Sequence, residues 1–144
     1  MGTWTTDRLD ALVRGDVVLP PVTRTLRLGT LDSWALGWIK KTWSPDPGLL
    51  NVDGSLFGGY IAALADQALT FAAMTSVPDD MVFRTLNLSI SFHRVGKAEP
   101  LKIAAWVTSQ TRQVISTRVE LRRPDDKLVA EASAQQFLQA KRQP

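Results

Sequence analysis

Residues Gly59 to Ser76 read GYIAALADQALTFAAMTS and constrain the fold more than any other segment. They are rich in alanine, and after the first residue they hold neither proline nor glycine, so helix propensity is high. Apolar residues occupy almost every side. That marks a helix enclosed by the rest of the protein, not an amphipathic one lying on a surface. Pro78 follows its end.

Beyond this helix the period changes to two. Leu86, Leu88, Ile90 and Phe92 alternate with Thr85, Asn87, Ser89, Ser91 and His93, giving one apolar and one polar strand face. Leu101 to Gln110, Gln113 to Arg123 and Lys127 to Leu138 read as three further strands on short connections, the four together forming a meander. Ahead of the helix, Thr6 is a candidate N-cap for a short helix from Asp7 to Arg14, closed by Gly15, and Pro20-Pro21 end that arm. Extended segments are expected over Thr23 to Leu31 and Trp34 to Trp43, with a hairpin turn at Asp32-Ser33. The second segment places Trp34, Leu36, Trp38 and Lys40 on one face and Ala35, Gly37 and Ile39 on the other. Ser44 to Gly48 is loop.

A single buried helix among so many strands requires a curved antiparallel sheet wrapped on it, an α+β domain. With 144 residues there is room for one core. The expected division is an N-terminal arm with a short helix over 1–22 and one domain over 23–140. The net charge of +3 suits a polyanionic small molecule and is too mild and scattered for nucleic acid. The lack of cysteine excludes disulfides, thiolate catalysis and zinc–thiolate sites. The first ten residues do not read as a secretory signal, and no apolar run approaches the roughly 20 residues of a membrane span. A cytoplasmic protein with no membrane partner is the default expectation.

One ionisable group interrupts the apolar helix, and it is Asp66. Helical spacing aligns Gly59, Ala62, Ala63, Asp66, Thr70 and Ala73 on a stripe of small or polar residues, opposite Ile61, Leu64, Ala68 and Phe71. A carboxylate in such a place is either an ordinary helix residue bonded to Thr70 or a working group. Gly58-Gly59 alone reads as a tight turn into the helix. Together, an acid and two free backbone N–H groups at a helix start are the minimum equipment for acyl transfer to water. Eight residues of helix separate Gly58 from Asp66, a rise of about 12 Å, so they cannot serve one carbonyl carbon within one chain. If they cooperate, a second helix must run antiparallel beside the first across a two-fold axis.

The run Asn51-Val-Asp-Gly-Ser-Leu-Phe-Gly-Gly-Tyr60, followed by Asp66, resembles the signature of hotdog-fold acyl-CoA thioesterases, particularly the phenylacetate-pathway (PaaI-like) group. Arg84 to Phe92 resembles that family's first long strand and Lys127 to Ala134 its last. The resemblance implies a hotdog fold and hydrolysis of an acyl-coenzyme A, with no metal or redox cofactor. It makes Asp66 the general base or nucleophile and the Gly58 N–H the oxyanion donor, with Asn51 nearby. Thr70 and Thr85 match positions where relatives carry a hydroxyl near the acid. Phe57, Gly59 and Tyr60 fall beside the thioester, and Arg112, in a hairpin, could meet coenzyme A phosphates. Assembly into a dimer, and further into a tetramer, is implied as well. Phe57 departs from the group, which usually has histidine there. The hexameric bacterial acyl-CoA hydrolases are similar in reading Leu-Phe-Gly-Gly.

Two other readings compete. A hotdog hydratase or dehydratase needs a histidine beside its acid, and the only histidine, His93, is expected on the outer strand face. A sensor that binds acyl-CoA without cleaving it would carry a DNA-binding region, for which residues 1–22 are too few. A weakly active or non-catalytic binding subunit follows if Phe57 marks a degenerate site. Phe57, Tyr60, Trp34, Trp38 and Phe83 fit either the lining of an aromatic or medium-chain acyl pocket or a core.

Overall fold

The computed structural model describes residues 3–142; the first two residues of the expected arm lie outside that range. Helix α1, Trp4–Arg14, begins earlier than expected because Thr3, not Thr6, is its cap. The Thr3 hydroxyl accepts the Thr6 N–H while the Thr6 hydroxyl accepts the Thr3 N–H, a reciprocal capping box. Gly15 closes the helix in the left-handed conformation, as its position predicts.

The extended segment expected from Thr23 is instead a short helix α2, Pro21–Thr25. Pro21 pre-sets the backbone of a first helical turn, which outweighs the strand preference of Val22 and Thr23. The hairpin also moves. Strand β1, Ser33–Ala35, pairs antiparallel with β2, Trp38–Trp43, through Leu36-Gly37, not through a turn at Asp32-Ser33. Gly37 supplies the positive φ of 85° that this two-residue turn requires. The buried face of β2 is Ile39, Lys41 and Trp43, while Trp38 and Lys40 face out.

A 3-10 turn at Pro47–Leu49 leads to helix α3, Gly58–Met74. It is the enclosed helix that the alanine-rich segment predicts, starting one residue sooner. Ile61, Leu64 and Leu69 are at most 2% exposed, and truncating any of them to alanine costs about 2–5 kcal/mol. Ala65, Ala68 and Ala72 on α3 and Ala130, Ala132 and Ala134 on the sheet share this core, and their small side chains let helix and sheet approach closely.

Strands β3, Met81–Phe92, β4, Leu101–Gln110, β5, Val114–Arg122, and β6, Leu128–Ala140, complete one antiparallel sheet in the order β1-β2-β4-β5-β6-β3. Only β4, β5 and β6 form a meander. The first of the four expected strands, β3, crosses over to pair with β6 at the sheet edge. The sheet wraps α3, which packs mainly on β4, β5 and β6, and the hotdog architecture stands. No helix among the described residues is long and apolar enough to cross a membrane.

Candidate active site

Asp66 projects from the middle of α3 toward β3, where the Thr85 hydroxyl donates to its Oδ1 at 3.5 Å. Simple alternation would put Thr85 on the outer face of β3, with Leu86 inside. A β-bulge reverses this. Thr85 pairs with Gln136 and Asn87 with Gln135, so Leu86 is the extra residue. Beyond the bulge Leu88 and Ile90 pack on the core; before it Phe83 does, on the same parity as Thr85. The bulge thus aims Thr85 at Asp66 and leaves Leu86 60% exposed. Asp66 remains exposed on this face, and the partial burial of its carboxyl pushes its pKa above the ordinary value, with the Thr85 hydrogen bond opposing this in part. A carboxylate with raised proton affinity is a better base at neutral pH.

The small-residue stripe is open along Gly59, Ala62, Ala63, Asp66 and Thr70. Ala73, expected to continue it, is fully buried against Val77, Ile115 and Leu138. Asp66 and Thr70 line a cavity of about 330 Å³ between α3 and the N-terminal arm. Across Arg8, Thr70 and Met74 it adjoins a second of about 350 Å³, which Thr85 and Phe83 line. Asp66, Thr70 and Thr85 therefore converge.

Gly58 stands apart at the helix start. Phe57 occupies the cap position and offers no side-chain hydrogen bond, so the first N–H groups of α3 keep free donors. The two glycines that follow lie close to aromatic rings. A Cβ on Gly58 would touch the Phe92 ring at 3.4 Å, and one on Gly59 would strike the Phe57 ring at 2.7 Å. Gly58 opens on its own concavity of about 400 Å³, bordered by Ser55, Phe92, His93 and Arg94. Phe57 itself is 59% exposed. Asn51 lies in the preceding loop, its amide donating to Ser55 Oγ at 3.0 Å. Arg112 sits on the exposed β4–β5 turn, bordering a separate depression with Met81, Gln113 and Phe137. His93 is exposed, with its ring 3.7 Å from Glu131.

Tyr60 faces inward. It is 6% exposed, stacks on Trp43 at 5.2 Å, and donates its hydroxyl to the Leu26 carbonyl. It belongs to a set that sequence reasoning did not find. Trp43 Nε1 donates to the Arg27 carbonyl, Lys41 Nζ to the Leu28 carbonyl, and Gln67 Nε2 to the Gly29 carbonyl. Four successive carbonyls of the segment that follows α2 are each held by a side chain from β2 or α3. The clamp holds Arg27 in the left-handed region, at φ 52°, a conformation costly for a residue with a side chain. Burial lowers the Lys41 pKa to about 8, against a smaller opposing pull from Asp32. The available signal was a lysine between Ile39 and Trp43 on the alternation of β2. Among the described residues no group of three or more His, Asp or Glu side chains is placed to hold a metal.

An antiparallel sheet wrapped on one helix defines the hotdog architecture, and the lone acid on that helix with the N–H groups at its start is its candidate site. The chain belongs to the Thioesterase superfamily, whose family model matches residues 53–130, and it is a thioester hydrolase. Among solved structures it is similar to a phenylacetic acid degradation-related protein from Ralstonia eutropha JMP134. The two are 28% identical over 90% of this chain and 98% of that one, with a TM-score of 0.79. A thioesterase family protein from Silicibacter pomeroyi has the same fold, at 20% identity over 92% of this chain and 99% of that one and a TM-score of 0.79. A Streptococcus mutans UA159 protein bound to acetyl-CoA is 26% identical over 78% of this chain and 90% of that one, with a TM-score of 0.68. No curated protein sequence matches the chain. The PaaI-like resemblance read from Asn51 to Asp66 agrees with these findings.

Proposed function

We propose that the protein hydrolyses an acyl-coenzyme A to a free acid and coenzyme A, with Asp66 as general base. The observation that carries this reading is the Asp66 carboxyl, raised in pKa, held by Thr85 and opening on a cavity beside a helix with free N–H groups at its start. The Streptococcus mutans relative bound to acetyl-CoA supports the choice of thioester. Asp66 takes a proton from water as the oxygen attacks the thioester carbonyl carbon. The resulting oxyanion rests on the N–H of Gly58 of the partner subunit, where the helix dipole favours negative charge. Collapse breaks the C–S bond, and the proton held by Asp66 passes to the departing thiolate.

The two half-sites require a homodimer, because about 12 Å of helical rise separates Gly58 from Asp66. The edge of the sheet supports this. Strand β3 runs 12 residues at the sheet edge, with Leu86 and Phe92 exposed and Phe57 nearby in the chain's α3 start. Long apolar edges are normally covered. Two such dimers form the tetramer that the resemblance implies. The test is release of free thiol from a panel of acyl-CoAs by the purified protein. Turnover of at least one supports the reading, and none across acetyl, octanoyl, palmitoyl and aryl thioesters would leave a binding subunit instead.

A further inference from the structure

We propose that Gln136 is a positioning residue for Asp66 and acts on it through Thr85. This rests on the hydrolase reading for the chemistry at the acid. Gln136 stands on β6 directly opposite Thr85 of β3, in the last regular pair before the bulge. Opposed residues of an antiparallel pair project to the same face with Cβ atoms about 5 Å apart, a gap that a glutamine side chain spans. Since Thr85 reaches Asp66, Gln136 lies beside it on the inner face, one strand deeper in the sheet.

The Gln136 side chain is fully buried and only half satisfied. Its Oε1 accepts the hydroxyl of Thr117 on β5, itself buried, at 3.1 Å. Its Nε2 is the one buried side-chain nitrogen or oxygen among the described residues that has no hydrogen-bond partner. A buried donor left unpaired is destabilising, and a methionine would fill the same space without that cost. Packing alone therefore does not account for glutamine here. The residues paired with Gln136 or flanking it on its face of β6 are Thr85, Ile115, Ala134 and Leu138. Only Thr85 carries a side-chain acceptor. Its hydroxyl hydrogen goes to Asp66, which leaves its oxygen lone pairs for the Gln136 N–H. The donors then run one way, from Thr117 to Gln136, to Thr85, to Asp66. A Thr85 oxygen that accepts from behind keeps its own O–H directed at the acid. Without Gln136 that hydroxyl is free to turn to another acceptor, and the charged form of Asp66 loses a partner.

The test is titration of the Asp66 carboxyl by NMR, with carboxyl-labelled aspartate and Asp66→Asn to identify the resonance, so it reads the acid with or without turnover. Arg8 of α1 and Arg84 of β3, the charged groups bordering the cavities around Asp66, stay in place throughout. Gln136→Met, with Gln136→Leu as a second variant, should move the Asp66 titration to higher pH, as should Thr85→Ala. Adding Gln136→Met to Thr85→Ala should move it no further. In the wild type the Gln136 side-chain N–H resonances should follow the Asp66 titration, and Thr85→Ala should abolish that response. The acidic limb of the pH–kcat profile should shift with the carboxyl. On that limb, kcat at fixed pH should fall about twofold to tenfold in Gln136→Met, the effect of one hydrogen bond. An Asp66 titration that is unmoved by Gln136→Met, or moved equally in the Thr85→Ala background, overturns the proposal even if hydrolysis is found. A shift to lower pH overturns it too, because the amide then turns its oxygen to Thr85 and draws the hydroxyl away from the acid. A shift to higher pH that depends on Thr85, without turnover of any acyl-CoA, upholds the positioning role and overturns the hydrolase reading.

Discussion

Lys41→Met should change the pH dependence of stability in a calculable way. Lys41 is 2% exposed, and its folded pKa is about 8 against 10.5 for an ordinary lysine, because burial penalises its charge. Between these values the unfolded chain holds more protons than the folded one, so stability rises with pH. From pH 7 to pH 10 the folded pKa of about 8 corresponds to a gain of about 2–3 kcal/mol. Methionine has similar length and does not titrate. The difference in unfolding free energy, wild type minus Lys41→Met, should rise by that amount over the interval. Urea unfolding at fixed protomer concentration at both pH values gives it, and taking the difference cancels groups common to both proteins. A difference that stays flat within about 0.5 kcal/mol would mean that Lys41 keeps an ordinary pKa and that the clamp is not built on a desolvated ammonium.

Phe57→His should alter kcat/KM by less than about tenfold, ~1.4 kcal/mol, because the oxyanion rests on the Gly58 N–H and not on the preceding side chain; a gain of orders of magnitude would show a degenerate wild-type site. Tyr60→Phe removes the donor to the part-buried Leu26 carbonyl and should cost about 0.5–1.5 kcal/mol in denaturant unfolding, whereas an unchanged midpoint would free that segment from the clamp. Light scattering should find a dimer or tetramer, and an active monomer would end the shared-site mechanism.

The parts of the fold legible in the sequence are those where local pattern and tertiary context agree. Helix α3 is one, since alanine propensity and enclosure act together, and β4 is another, with Leu101, Ile103 and Ala105 buried on one parity. The hairpin failed because Gly37 was counted as a strand residue, although an isolated glycine in a strand pattern marks a turn or bulge. The bulge at Leu86 carries no local mark: the alternation runs unbroken from Thr85 to His93, and only pairing with β6 displaces one residue. For the site, the single acid in an apolar helix pointed to Asp66 without help from the fold. Thr85 was available only by resemblance, because reading its strand as regular turns it outward. The cavity beside Asp66 was hidden because its far wall is made by α1, α2 and the segment after α2, which meet α3 only through tertiary packing. Tyr60, placed beside the substrate by sequence, points the other way and holds that wall.

The measurement that bears most directly on the account is the turnover of Asp66→Asn on the best acyl-CoA substrate of the wild type. Folding should not suffer. A carboxyl whose folded pKa is raised contributes stability that is lost as pH rises through that pKa, so at neutral pH its charge is a cost that asparagine removes. Thermal unfolding at pH 7 is the control, with the variant expected to melt no lower than the wild type. With the fold intact, loss of the general base should lower kcat by at least about a hundredfold while KM changes little. A folded Asp66→Asn protein that retains near-native kcat would contradict the central claim and make Asp66 a structural residue.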